Sequence, residues 1–277
     1  MVTKNEFWNL LLTKTSLSDE VSELKEGECT TSQDLYLLAK QAGINKHLNA
    51  PTLISLDTLR SLPKALKQRR LYVVRLGQRL SGRARFILCK ACPGYKNETI
   101  SVESLDRVPE LPVSIGSLPK WAMKLATSSK EATALLTVTH FVRTLSRSSE
   151  VFMLPSIRLG SVRFSFRPTK VSKTYTYWGQ VEVDAALGDR QLFAVEAKYG
   201  RGPLFKHKIA FSTLALAKLT KTPVHPIVAF VVRRGNSVEV LVAHLSPPAE
   251  PIMHTGRYVV EEMRPTVKAN LTLRLFT

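Results

Sequence analysis

The chain has 277 residues, 44% of them hydrophobic, and 40 Lys and Arg against 22 Asp and Glu give a formal net charge of +18. That excess is more than solubility asks of a protein this size and marks a polyanionic partner. A membrane surface is the competing polyanion, but with no apolar run of about eighteen residues and no basic amphipathic helix a nucleic acid is favoured over it. Three cysteines argue against a disulfide scaffold and for a reducing compartment. Cys89 and Cys92 form a lone C-x-x-C that lacks the second pair a structural zinc site needs. The opening Met-Val-Thr-Lys-Asn-Glu-Phe-Trp carries no apolar stretch followed by a small-residue cleavage site, so a cytoplasmic protein is expected.

Read in chain order, Thr31 and Ser32 can cap a helix whose apolar positions Leu35, Leu38, Ala39 and Ala42 recur at helical spacing and which stops at Gly43. A second helix is expected over 56–66. Two strands follow, 71–76 and 85–89, joined by a tip that carries Arg79 and Arg83 and is flanked by Arg75 and Arg85. Helices followed by a basic hairpin suggest a winged helix-turn-helix, so 1–106 reads as an α+β domain that contacts DNA through Arg79, Arg83 and Arg85. A small α+β cap with a solvated basic face would show the same residues. The stretch 107–120 holds three prolines and a glycine, which break both periodicities and mark a linker to a second domain, 121–277.

In that second domain Ser128 and Ser129, with Glu131 behind them, start a helix that runs to about 146 with Leu135, Leu136, Val138, Val142 and Leu145 on its apolar face. His140 falls on that face and reads as a core residue. Strands near 151–166 precede a hairpin over 179–199. A helix over 203–221 begins at Pro203 and is stopped by Pro223. Ile227–Val232 is a short continuous apolar run of the kind buried strands show, and 237–243 pairs with it around Gly235 and Asn236. The order helix, strands, hairpin, helix, strand, strand describes an α/β sandwich with a mixed sheet.

The hairpin carries the chemistry. Val181, Val183, Ala185 and Leu187 alternate with polar positions, as do Phe193, Val195, Ala197 and Tyr199, so each strand has period two. With Gly188-Asp189-Arg190 as the turn, Glu182 stands opposite Glu196 and Asp184 opposite Ala194, which gathers Glu182, Asp184, Glu196 and Lys198 on one face. Mg²⁺ takes oxygen ligands, often one or two carboxylates completed by water and substrate phosphate. Asp184 and Glu196 can supply these, with the carbonyl of Ala197 as a third. Lys198, two residues past Glu196 on the same strand, is placed to hold an attacking water and to stabilise phosphoryl charge. Arg201, Lys206 and Lys208 follow and read as phosphate contacts. The alternative reading makes these acids the solvated face of a hairpin, with Lys198 as a cross-strand partner. Neither His207, His225 nor His244 has a Ser or Cys at triad spacing. Tyr175, Tyr177 and Trp178 read as packing residues.

Val-Glu-Val-Asp followed by Val-Glu-Ala-Lys resembles the PD-(D/E)XK nuclease superfamily, which includes many type II restriction endonucleases, over roughly 125–245. The resemblance implies a restriction-endonuclease-like mixed-sheet sandwich, with Asp184 as the first aspartate, Glu196 as the second acid, Lys198 as the lysine and Glu131 as an auxiliary acid on the preceding helix. Val183 stands where the motif's proline would be. The implied activity is Mg²⁺-dependent hydrolysis of double-stranded DNA by a sequence-specific endonuclease, acting as a homodimer to cut both strands. A structure-selective repair or junction-resolving nuclease would share the site, and a non-catalytic DNA-binding protein could share the scaffold.

Overall fold

The structure, a computed structural model, describes residues 3–44, 48–78, 84–114, 124, 130–235, 237–251 and 255–274. The N-terminal part contains α1 (Lys4–Lys14), α2 (Leu17–Ser22), β1 (Gln33–Asp34), α3 (Leu35–Gln41), α4 (Ala50–Ile54), α5 (Lys64–Gln68) and the hairpin β2 (Leu71–Gln78) and β3 (Ala84–Lys90). Helix α1 starts at a capping box, in which Thr3 Oγ1 accepts the Glu6 N–H while Glu6 accepts the Thr3 N–H. Helix α3 is capped not by Thr31 or Ser32 but by Asp34, whose carboxylate accepts the N–H groups of Tyr36 and Leu37. The helix expected over 56–66 is broken. Residues 59–61 form one 3₁₀ turn capped by Thr58, and α5 starts only after Pro63, which is extended at ψ 148°.

After β4 (Thr99–Ile100), the segment read as a linker pairs in part with the sheet. Glu110 bridges Lys268, and the Leu111 N–H donates to the Lys268 carbonyl at 2.7 Å. The rest follows as α6 (Lys130–Ser146), β5 (Phe152–Phe166), β6 (Tyr175–Gly188), β7 (Leu192–Tyr199), β8 (Leu204–Phe205), α7 (Lys206–Thr220), β9 (Val224–Arg234), β10 (Ser237–Ser246) and β11 (Arg264–Arg274).

Among the described residues nine strands form one mixed sheet, in the order β1-β3-β2-β6-β7-β9-β10-β11 with β5 also on β6. β5, β6 and β7 make an antiparallel meander, α7 crosses over, and β9 returns parallel to β7. The sheet is covered on both faces. Ala134, Val138, Phe141 and Val142 of α6 cluster with Val195, Ile227 and Ala229, while Ile209, Ala210 and Leu214 of α7 cluster with Ala194, Val228 and Phe230. Successive strand residues therefore bury on opposite sides, which is why 227–232 is apolar without a break. Each fully buried Ile, Leu or Phe here contributes about 1.5–3 kcal/mol.

The expected basic wing is a member of this sheet. β2 meets β6 in parallel at Gly77 and Trp178, and the α7-side cluster runs continuously from Phe7 and Trp8 to Tyr258 and Met263. Residues on both sides of 107–120 thus share one sheet and one core. Cys29 and Cys89, an antiparallel bridge pair with Cα atoms 4.0 Å apart, form a disulfide, and Cys92 is free and buried. This corrects the expectation of three reduced cysteines. Spacing along the chain held no sign that residues sixty positions apart would be cross-strand neighbours. Among the described residues no helix is long and apolar enough to cross a membrane.

Candidate active site

The hairpin turns one residue later than the sequence suggests. Gly188 pairs with Leu192, leaving Asp189, Arg190 and Gln191 as the loop, so the register moves by two and Asp184 comes level with Glu196. A Cβ on Gly188 would lie 2.1 Å from the Gln191 carbonyl oxygen, and only glycine permits that closure. The ladder stops at Ala185 and Val195. Beyond it the Asp184 carboxylate replaces a main-chain acceptor, and its Oδ2 receives the Ala197 N–H at 2.7 Å.

The alternation of β6 changes sides at this point. Val181 and Val183 bury in the α7-side cluster, whereas Ala185 and Leu187 bury in the α6-side cluster. Across the ladder on β5, Ser156 has φ +48°, a conformation that interrupts a strand's alternation. The expected single face for all four polar residues is therefore not kept. Asp184 lines a recess of about 300 Å³ with Leu135, Ser156, Ala197 and Tyr199. Glu182 is exposed, forms an ion pair with Arg158 at 2.7 Å, and lines a different cleft on the α7 side.

Glu196 is the most enclosed acid of the group, 4% exposed. Lys208 Nζ of α7 lies 3.4 Å from its Oε1, and Ser212 Oγ, one turn further along, donates to its Oε2 at 3.3 Å. Burial pushes the Glu196 carboxyl up to about 8; Lys208 opposes that shift, and Asp184 and Asp57 add to it. Burial would lower Lys208, yet the carboxylates of Glu196, Asp57 and Asp184 more than reverse this and hold it above the ordinary lysine value. Lys208 therefore belongs to the acid cluster, where the sequence reading made it an outer phosphate contact. Lys198 follows Glu196 two residues on, half-buried, and forms no ion pair among the described residues.

Lys206 is likewise not a surface contact. It is 3% exposed, its Nζ donates to the Glu261 carbonyl at 2.9 Å, and burial lowers it to about 7. The first turn of α7 packs inward against the 3₁₀ turn at Val260–Glu262 that precedes β11, which a run of basic residues does not reveal. Arg201 is exposed and pairs with Glu239 at 3.4 Å. Arg85 is half-buried in β3 opposite Asp34, its Nε enclosed without a partner, and this does not suit an exposed DNA contact. Arg79 and Arg83 lie outside the described residues. Glu131 is in the first turn of α6, and its side chain lies outside what the structure describes. Tyr175 and Tyr177 are buried packing residues, as expected, and His225 and His244 bond to each other at 3.2 Å.

Asp57, Arg75 and His207 are the groups that sequence reading did not assign to the site. The Phe205 N–H donates to the Asp57 carbonyl and the Leu59 N–H to that of Pro203, which lays residues 57–59 alongside the start of α7. No known family model, curated protein or solved structure matches this chain.

The motif implies a divalent metal. Among the described residues no group of three or more His, Cys, Asp or Glu is placed to hold a metal. Asp184 and Glu196, whose charges are close enough to interact, remain together with the Ala197 carbonyl. That set fits Mg²⁺, which keeps several waters, and does not fit an ion that needs a full protein cage.

Proposed function

We propose that this protein is a metal-dependent DNA nuclease that hydrolyses phosphodiester bonds at Asp184 and Glu196. The observation that carries this reading is that the Asp184 carboxylate accepts the N–H of Ala197, the residue between enclosed Glu196 and Lys198, at the point where β6 and β7 part. The succession α6, three-stranded meander, α7 and parallel strand supports a restriction-endonuclease-like sandwich. The +18 charge supplies the attraction to DNA.

Asp184, Glu196 and the Ala197 carbonyl would hold Mg²⁺, which when bound supplies an acidified water and neutralises charge on the phosphoryl group. Lys208 and Ser212 fix the two oxygens of Glu196, so the carboxylate is positioned before substrate arrives. Lys198, uncommitted to any acid among the described residues, orients the attacking water and stabilises the developing negative charge. Arg201 reaches a flanking phosphate. Cutting both strands of a duplex calls for a homodimer.

A structure-selective enzyme is favoured over a sequence-specific restriction enzyme by one observation. Ser55, Asp57 and Arg75 of the N-terminal part line the same cleft as Lys208 and Ser212, which hold Glu196, so that part is built into the surroundings of the site. The test is incubation of plasmid and of branched DNA with Mg²⁺ or EDTA, using wild type, Asp184→Ala and Lys198→Ala. Metal-dependent cleavage lost in both variants is expected. Salt-sensitive binding without cleavage of either DNA would make the chain a DNA-binding protein on a nuclease-like scaffold.

A further inference from the structure

Beside Glu196 lies a cleft of about 360 Å³, large enough for a small organic group. It exists because two strands leave the same edge of β6. β2 touches that edge at Trp178, and β7 joins it only from Ala185, while β5 occupies the opposite edge throughout. The gap between them is closed by α7, and Lys208 and Ser212 at its wall are the two residues that hold Glu196.

The walls are of two kinds. Ile54, Val181, Tyr177 and Phe211 give apolar surface. The polar groups are fixed in place or unspent. Arg75 donates to Ser55 Oγ at 3.3 Å, to Tyr177 Oη at 2.9 Å and to the Gln180 carbonyl at 3.0 Å. All three acceptors are neutral, and Arg75 has no carboxylate partner among the described residues. His207 is buried, its ring stacked with Phe205 at 5.5 Å, and its Nδ1 has no hydrogen-bond partner.

A phosphate does not suit this space. Asp57 and Glu182 line it, Glu196 stands behind it, and the ammonium of Lys208 is already spent on Glu196. A neutral, flat ring with donors and acceptors on its edge does suit it, because apolar walls alternate with a guanidinium, an imidazole and a carboxylate. We propose that the cleft receives an unpaired nucleobase next to the phosphodiester to be cut, so that the substrate is DNA carrying an unpaired nucleotide. The proposal deepens the nuclease reading and rests on it.

The test uses the full chain in EDTA, where nothing is cut, and reads fluorescence anisotropy with end-labelled oligonucleotides. Three duplexes are compared: fully paired, with a one-nucleotide bulge, and with a one-nucleotide abasic bulge that keeps the bent backbone but has no base. The base-bearing bulge should bind roughly tenfold tighter than the abasic one, the scale of one well-held base. Ser55→Trp, which fills the cleft, should bring the two bulges to equal affinity. Equal affinity for both bulges in the wild type would overturn the base-binding proposal and leave the nuclease reading standing. No binding to any of the three would overturn both.

Discussion

The main-chain N–H of Ala197 donates to Asp184 Oδ2 across 2.7 Å, at the step where the β6–β7 ladder ends. One carboxylate oxygen therefore completes the strand pairing, and the other accepts no hydrogen bond among the described residues. Asp184→Asn retains an oxygen for the Ala197 N–H but removes the charge. Its stability in urea should stay within about 1 kcal/mol of wild type, since a comparable hydrogen bond survives. Metal-dependent cleavage should drop at least about a hundredfold, the scale of removing one charged group that acts on the transition state. Asp184→Leu, which strands the N–H as well, should lose about 1–3 kcal/mol. Wild-type cleavage by Asp184→Asn would remove Asp184 from the chemistry.

The two lysines of the site should separate by what their loss does. Lys208→Met leaves Glu196 enclosed without its cation, and this should cost about 2 kcal/mol, below the usual range for a buried pair because Lys208 is partly exposed. Adding Glu196→Gln removes the enclosed carboxyl whose pKa burial raises, and with it the cost of keeping that group from ionising, and should restore most of that stability, a coupling that a double-mutant cycle measures directly. Lys198→Met should lie within about 0.5 kcal/mol of wild type, as expected for a side chain with no ion pair, yet lose cleavage. A neutral Lys208→Met, or an unstable Lys198→Met, would reverse the assignments made here.

Period-two alternation placed Asp184, Glu196 and Lys198 on adjacent strands, and helical spacing placed α6 and α7 on either side of them. Those are local signals, carried by residues a few positions apart. The side change at Asp184 was hidden, since it depends on a strand on the far side of β6 and on Ser156 there. Asp57 gave no signal at all, because it reaches the site through main-chain pairing with residues nearly 150 positions later. Lys206 and Lys208 were read alike and fold to different ends. One donates to the Glu261 carbonyl, the other pairs with Glu196, and the helix turn that separates them by about 200° decides which. The disulfide was misread for the same reason as Asp57.

Lys206 predicts a pH dependence. Burial, the largest cause, and Arg264 lower its pKa to about 7, while Glu261 and Glu98 oppose them. The unfolded chain holds this proton up to about 10.4, so between the two values the unfolded state binds more protons than the folded one. Stability should therefore rise with pH from about 7 to about 9.5, by up to about 1.4 kcal/mol per pH unit from this group, before tyrosines ionise in the unfolded chain. Urea midpoints across this window check it. Lys206→Met should flatten the rise, and an unchanged slope would show that the ammonium is solvated.

The cysteines predict a thiol count. Without reductant the folded protein should show no reactive thiol, because Cys92 is buried and Cys29 is bonded to Cys89. Unfolding in denaturant should expose one, and reduction followed by unfolding should expose three. Closing a loop of sixty residues should stabilise the fold by about 4 kcal/mol on the chain-entropy account. Three thiols in the unreduced, unfolded protein would show that the pair is adjacent but open.

Gly77 joins the N-terminal hairpin to the sheet, and two properties make it irreplaceable there. Its φ is +83°, and a Cβ would lie 2.1 Å from the Trp178 carbonyl oxygen, a main-chain atom that cannot turn aside. Gly43 has a similar φ of +73° with nothing within 4 Å of its Cβ position, so it shares only the first property. Gly43→Ala should therefore cost about 1 kcal/mol, the penalty of left-handed backbone alone. Gly77→Ala should cost more than about 2 kcal/mol, because β2 must also move away from β6. Since β2 carries Arg75, that movement should open the cleft beside Glu196, raise hydrogen exchange across 71–78, and weaken binding of bulged DNA. Equal destabilisation by the two substitutions would mean that β2 approaches β6 less closely than the Gly77–Trp178 bridge requires.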